Sequence, residues 1–163
     1  MGRKNKDIVF VIVGEGLKKG DLEAKAAGMA IDNVIFLPFQ LYPDLRHLLA
    51  AADVLLVPLD KEKSLLSVPS KLYHFMAAGR PVLGLAHGDS EVYKIIMDTQ
   101  CGLCAPPEEP QKIAETILAL KSSRDLRETK AAQGRAYAVD RFSRERVLKA
   151  YEDHIGNSSG GRI

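Results

Sequence analysis

Apolar residues in this chain come in short unbroken runs, separated by longer stretches where they recur every three or four positions. Ile8-Val9-Phe10-Val11-Ile12-Val13 is a continuous β-branched run, the pattern of a strand covered on both faces, as in a parallel sheet. Val34–Leu37, Val54–Val57, Val82–Leu85 and Gly102–Cys104 are further short runs, two of them stopped by Pro38 and Pro58. Between the runs the period becomes helical. Lys19 to about Met29 reads as a polar, alanine-rich helix, and Tyr42 to Ala52 carries Leu45, Leu48 and Leu49 as its stripe. Glu91 to Met97 is a third helical stretch, and Gln111 to Leu120 turns Ile113, Ile117 and Leu120 inward. From Arg124 to about Ile155 the period stays helical, with a break near Asp140-Arg141-Phe142-Ser143. Strands alternating with helices in this way predict an α/β protein built on a doubly wound parallel sheet.

The stretch from Ser64 to Leu85 organises the chain. Leu72, Phe75, Met76 and Gly79 form the stripe of an amphipathic helix, and Ala77-Ala78-Gly79 ends it before Arg80-Pro81 leads into a strand. Ser67-Val68-Pro69-Ser70-Lys71 precedes it, with a proline suited to the first helical turn and serines suited to the cap. Lys71 and His74, three residues apart, fall on one face of that first turn. A helix start with a cation beside it suits a phosphate group; an ordinary capped helix with a solvated lysine has the same pattern. In a doubly wound sheet ligands bind beyond the carboxyl ends of the strands. This stretch, the Gly14-Glu15-Gly16 turn, the Pro38-Phe39 loop and the His87-Gly88 loop all follow such ends and are expected on one rim.

Composition narrows the classes. The chain has 163 residues, 46% apolar and 27% charged, with a net charge of +2; this is one domain's worth of an ordinary globular protein. Such a small charge gives no basis for nucleic-acid binding. No apolar run approaches the roughly 20 residues of a membrane span, and no leader peptide is legible, so a cytoplasmic location is expected. Cys101 and Cys104 form a lone C-x-x-C around a short apolar strand, without two further ligands at zinc spacing, and are expected to be buried thiols. Gly14-Glu15-Gly16 invites a dinucleotide reading. Lys18-Lys19-Gly20-Asp21 is a poor start for a tightly packed helix, however, and no acidic residue closes the second strand to hold a ribose.

Taken in order, the motifs resemble a known family. They are VIVGEG at Val11–Gly16, N-V-x-F-L at Asn33–Leu37 and AADVLLVP at Ala51–Pro58. They continue with P-S-K at Pro69–Lys71, MAAGRPV at Met76–Val82, C-G-L-x-x-x-P at Cys101–Pro107 and R-F-S at Arg141–Ser143. Over residues 7–155 the chain resembles the C-terminal, donor-binding half of a GT-B retaining glycosyltransferase of the group 1 type, lacking its first strand. Its P-S-K version is similar to transferases of amino sugars in bacterial polysaccharide assembly. Residues 1–6 and 156–163 are expected to be flexible ends.

The resemblance implies an enzyme that transfers a sugar from a nucleotide-diphosphate sugar, UDP favoured over GDP, with retention and without a metal or other cofactor. Lys71 and the backbone N–H groups of Val68, Ser70 and Lys71 would hold the diphosphate, with Pro69 shaping their turn and Ser67 next in sequence, and His74 would reach a ribose hydroxyl. Gly14 and Gly16 would let the backbone approach the donor. Phe39 and Leu41 would wall the base, and Glu91 would face the same rim. The chain departs from the family where a pair of glutamates usually flanks this helix, since Leu66 and His74 stand at those places. No catalytic residue is expected in this chain itself. The resemblance implies an N-terminal acceptor domain outside this chain, so the chain is expected to be inactive alone. A peripheral membrane contact is expected only in the full-length protein, and an exposed sheet edge suggests a homodimer. The alternatives are a non-catalytic donor-binding subunit of a two-chain transferase and a fragment of a GT-B-like UDP-sugar epimerase.

Overall fold

A computed structural model describes residues 7–59 and 68–158. Of the expected flexible ends at 1–6 and 156–163, residues 1–6 and 159–163 lie outside the described residues, as do Leu66, Ser67 and most of the loop before the organising helix, whereas 156–158 fall in the last helix. The elements alternate as anticipated. They run β1 (Phe10–Val13), α1 (Lys19–Gly28), β2 (Val34–Leu37), α2 (Tyr42–Ala51), β3 (Leu55–Pro58) and α3 (Lys71–Ala77). Then come β4 (Val82–Leu85), α4 (Glu91–Thr99), β5 (Gly102–Ala105), α5 (Pro110–Ser122), α6 (Arg124–Phe142) and α7 (Arg144–Ser158). Among the described residues no helix is long and apolar enough to cross a membrane. The chain divides into two compact units, Met1–His47 and Leu48–Ile163.

In the first unit β1 and β2 pair in parallel, Phe10 opposite Val34 and Val13 opposite Leu37. Asn33 explains the N-V-x-F-L pattern. It is buried, its Nδ2 donates to the Ile8 carbonyl at 2.7 Å and its own carbonyl accepts from Phe10 N at 2.9 Å, fixing where the two strands start. The expectation that β1 is covered on both faces does not hold. Val11, Ile12 and Val13 remain 48%, 44% and 36% exposed. Among the described residues β1 has one strand neighbour in its sheet and α1 buries no residue fully, which leaves the strand without apolar cover.

The second unit holds the core. Its parallel sheet runs β3-β4-β5, with Leu55 opposite Val82 and Val82 opposite Gly102. Val57, Leu72, Met76, Val82, Val92, Ile96 and Cys101 are fully buried and form one cluster. Two glycines mark where backbone and side chains press together. A Cβ on Gly102 would lie 1.8 Å from the Val82 carbonyl oxygen, so the C-G-L motif has a glycine because β5 could not otherwise lie against β4. A Cβ on Gly134 of α6 would lie 2.8 Å from Cys101 Cβ, so α6 can approach the sheet only at a residue without a side chain.

Cys101 immediately precedes β5 and Cys104 lies within it. Cys101 is fully buried toward Met76 and Gly134, whereas Cys104 lies near Gly84 and is half-buried. Neither is in a disulfide. Burial pushes both thiols up, Cys104 to about 12 with a further push from Cys101, so both stay protonated at neutral pH.

Gly102→Ala should therefore separate β4 from β5 rather than merely crowd a side chain. Urea unfolding followed by circular dichroism should show a loss of about 3 kcal/mol or more, at the upper end of what overpacking costs. A loss under about 1 kcal/mol would mean that β5 does not lie where the structure puts it.

Candidate functional site

The site is best built from α3, which leaves the carboxyl end of β3. Leu59 N donates to the Leu85 carbonyl at 3.1 Å, carrying the β3–β4 ladder one step past Pro58. The chain is described again at Val68 and Pro69, both half-buried, then at exposed Ser70 and half-buried Lys71. Ser70 does not cap the helix with its side chain as expected. It already has helical backbone angles, φ −55° and ψ −28°, whereas a capping serine needs an extended conformation to bring Oγ over the first turn. The first turn is closed by carbonyls instead: Leu72 N donates to Pro69 O at 3.0 Å and Tyr73 N to Ser70 O at 3.2 Å. Among the described residues the Ser70 and Lys71 amides have no partner.

Three contacts fix α3 despite its seven residues. Leu72 and Met76 are fully buried. The Tyr73 ring packs on Phe142 with centroids 4.6 Å apart, which gives the R-F-S motif its purpose. At the other end Arg135 Nη1 donates to the Ala77 carbonyl at 2.6 Å, and Gly79 turns the chain with φ +66°. Arg135 Cδ would lie 3.3 Å from a Cβ on Gly79, so this glycine serves both the left-handed turn and the arginine's approach.

Lys71 is the electrostatic feature of this start. Burial lowers its pKa, and among the described residues no carboxylate pairs with it. His74, one turn on, is exposed. The arrangement suits an anion, which would restore to the ammonium group part of the solvation that burial removes.

Beyond β4 the chain forms a tight turn. Ser90 is fully buried, donates from Oγ to the His87 carbonyl at 2.7 Å and accepts from Tyr93 N at 3.2 Å, so it caps α4. Glu91 is exposed and bound to Lys94 of its own helix at 2.6 Å. One feature escaped sequence reasoning: His87 Nε2 lies 3.0 Å from Glu108 Oε1. The two residues are 21 apart in sequence, and only the pairing of β4 with β5 brings the loops after them side by side.

In the first unit the loops after β1 and β2 leave the same end of their sheet. Gly14, with φ +132°, donates to the Leu37 carbonyl at 3.1 Å, and Gly16 O accepts from Lys19 N at 3.0 Å. Nothing lies within 4 Å of where a Cβ would be on either glycine. Phe39 and Leu41 are 69% and 68% exposed rather than enclosed. The site residues expected from sequence thus fall into two groups, Gly14, Gly16, Phe39 and Leu41 in one unit and Val68 to His74 with Glu91 in the other.

This fold and these motifs define a class. Residues 2–123 match the family described as glycosyl transferases, group 1, and the chain belongs to that family. Among named relatives it is similar to the probable glycosyltransferase WbjE of Pseudomonas aeruginosa. The two are 34% identical over 119 residues, 70% of this chain and 28% of WbjE. Among solved structures, HepE of Anabaena in complex with UDP superposes with a TM-score of 0.78 at 18% identity, over 96% of this chain and 43% of HepE. WaaG, a glycosyltransferase involved in lipopolysaccharide biosynthesis, gives 0.69 at 25% identity, over 88% of this chain and 37% of WaaG. The alternating Rossmann-like architecture is thus that of the GT-B superfamily, and the chain spans well under half the length of these relatives.

The half-buried lysine yields a pH prediction. Lowering a lysine's pKa on folding means that the unfolded chain binds more protons between the lowered value and the ordinary 10.5. Stability should rise with pH through that window, because deprotonation removes the cost of burying the charge. Thermal unfolding of Lys71→Met should lack this rise and should show a higher Tm than wild type at neutral pH. Equal pH slopes for the two proteins would mean that Lys71 is fully solvated.

Proposed function

We propose that this chain is the donor-binding part of a glycosyltransferase that takes a sugar from a UDP-linked donor to a polysaccharide or glycolipid acceptor. The observation that carries the reading is the start of α3, where, among the described residues, a half-buried lysine has no carboxylate partner and the two backbone amides beside it have no acceptor. A diphosphate supplies the missing charge and acceptors. Family membership supports the reading, as does the presence of UDP in the HepE structure and the part WaaG takes in lipopolysaccharide assembly.

In this reading Lys71 and the backbone N–H groups of Val68, Ser70 and Lys71 hold the diphosphate, with Pro69 shaping their turn, and stabilise the charge that grows on it as the sugar leaves. His74 reaches the ribose. Gly14 and Gly16 admit the donor to the backbone, Phe39 and Leu41 wall the base, and Glu91 is released from Lys94 to face the donor. The acceptor is held by a domain outside this chain, so turnover requires that domain.

Calorimetric titration with UDP and then GDP tests this. UDP should bind more tightly than GDP, and Lys71→Ala should weaken UDP by about tenfold or more, the usual worth of a charge-assisted hydrogen bond. Unchanged affinity in Lys71→Ala would move the phosphate away from α3. Absence of binding by either nucleotide would overturn the reading.

A further inference from the structure

The His87–Glu108 pair stands on the carboxyl-end rim of the three-stranded sheet. Ala86 N donates to the Ala105 carbonyl at 3.0 Å, so the ladder between β4 and β5 continues one residue past Leu85 and the two loops leave together. His87 follows at once, and Glu108 comes after Pro106-Pro107, which stiffen its loop.

His87 is held at both ends. Its carbonyl accepts from Ser90 N at 3.0 Å and from Ser90 Oγ at 2.7 Å, and Ser90 is fully buried. At the ring tip Nε2 meets Glu108 Oε1 at 3.0 Å, with the two side chains 25% and 57% exposed. An ion pair this open adds little stability, so the pairing is better understood by what it does to the ring. A carboxylate can only accept, so Nε2 carries the proton and donates. In the neutral ring that leaves Nδ1 as the acceptor, on a ring whose orientation is already fixed.

We propose that His87 is a specificity-determining contact for the sugar of the donor, accepting a hydrogen bond from a sugar hydroxyl at Nδ1, and that Glu108 is the residue that positions it. This rests on the donor-binding reading above and deepens it. In that reading the diphosphate lies at α3, and His87 follows β4, the strand paired with β3, at the same carboxyl end of the sheet. Glu108 acts only through the ring and touches no ligand.

The test is titration of the full 163-residue chain with UDP, UDP-glucose, UDP-galactose and UDP-N-acetylglucosamine, for wild type, His87→Ala, Glu108→Ala and Glu108→Gln. Wild type should bind at least one UDP-sugar more tightly than UDP. His87→Ala should erase that gain, about fivefold for one hydrogen bond, while leaving the affinity for UDP unchanged. Glu108→Gln keeps an acceptor for Nε2–H and should keep the gain; Glu108→Ala should lose most of it. Because UDP affinity reports an intact fold, a merely structural role would move UDP and UDP-sugars alike. If His87→Ala fails to fold, the contrast between the two Glu108 variants decides. The same gain in His87→Ala as in wild type, or no gain for any of these sugars, overturns the proposal and leaves the donor-binding reading standing. Loss of UDP binding in wild type overturns that reading and this proposal with it.

Discussion

The close approach of α6 to α3 and to the start of β5 is the contact on which the second unit depends. Gly134 allows it, because a side chain there would meet Cys101 Cβ at 2.8 Å and Met76 Cγ at 3.6 Å. Once α6 is this close, Arg135 reaches the carbonyl end of α3 and Phe142 reaches Tyr73. A helix of seven residues would be marginal by itself. Here Leu72 and Met76 are buried beneath it, and its Ala77 carbonyl accepts from Arg135 of another helix. The direction of α3, and with it the position of Lys71, follows from that packing and not from any cap at its start.

The rim beyond the sheet is assembled by strand pairing. β4 lies between β3 and β5, so the chain segments after all three leave at neighbouring positions, and residues distant in sequence become partners. His87 and Glu108 meet for that reason. The same pairing requires Gly102, since a parallel strand can come this close to the Val82 carbonyl only without a Cβ. A motif that looks like family spelling thus has a steric cause, and that cause is also what sets the loop carrying Glu108 beside the loop carrying His87.

The first unit shows what too little covering surface does. β1 is as apolar as any strand in the chain, yet Val9, Val11 and Ile12 stay largely exposed, because its sheet has two strands and α1 packs loosely. Two strands bury little by themselves. The continuous apolar run marks β1 as a strand, but the two-sided cover it predicts is not found among the described residues.

By itself the sequence determined the order and kind of the elements, because the period of apolar residues reports directly which faces must leave water. It also marked the turns at Gly14 and Gly79, where left-handed backbone angles favour glycine. Only the tertiary structure decided what depends on partners distant in sequence. These are the helical backbone of Ser70 in place of a side-chain cap, the half-burial that depresses Lys71, the Arg135 cap on α3, the exposure of β1 and the His87–Glu108 pair. Each is set by how closely two elements pack. A periodicity shows which side of an element faces inward, but the distance to what lies there is fixed by the shapes of both partners.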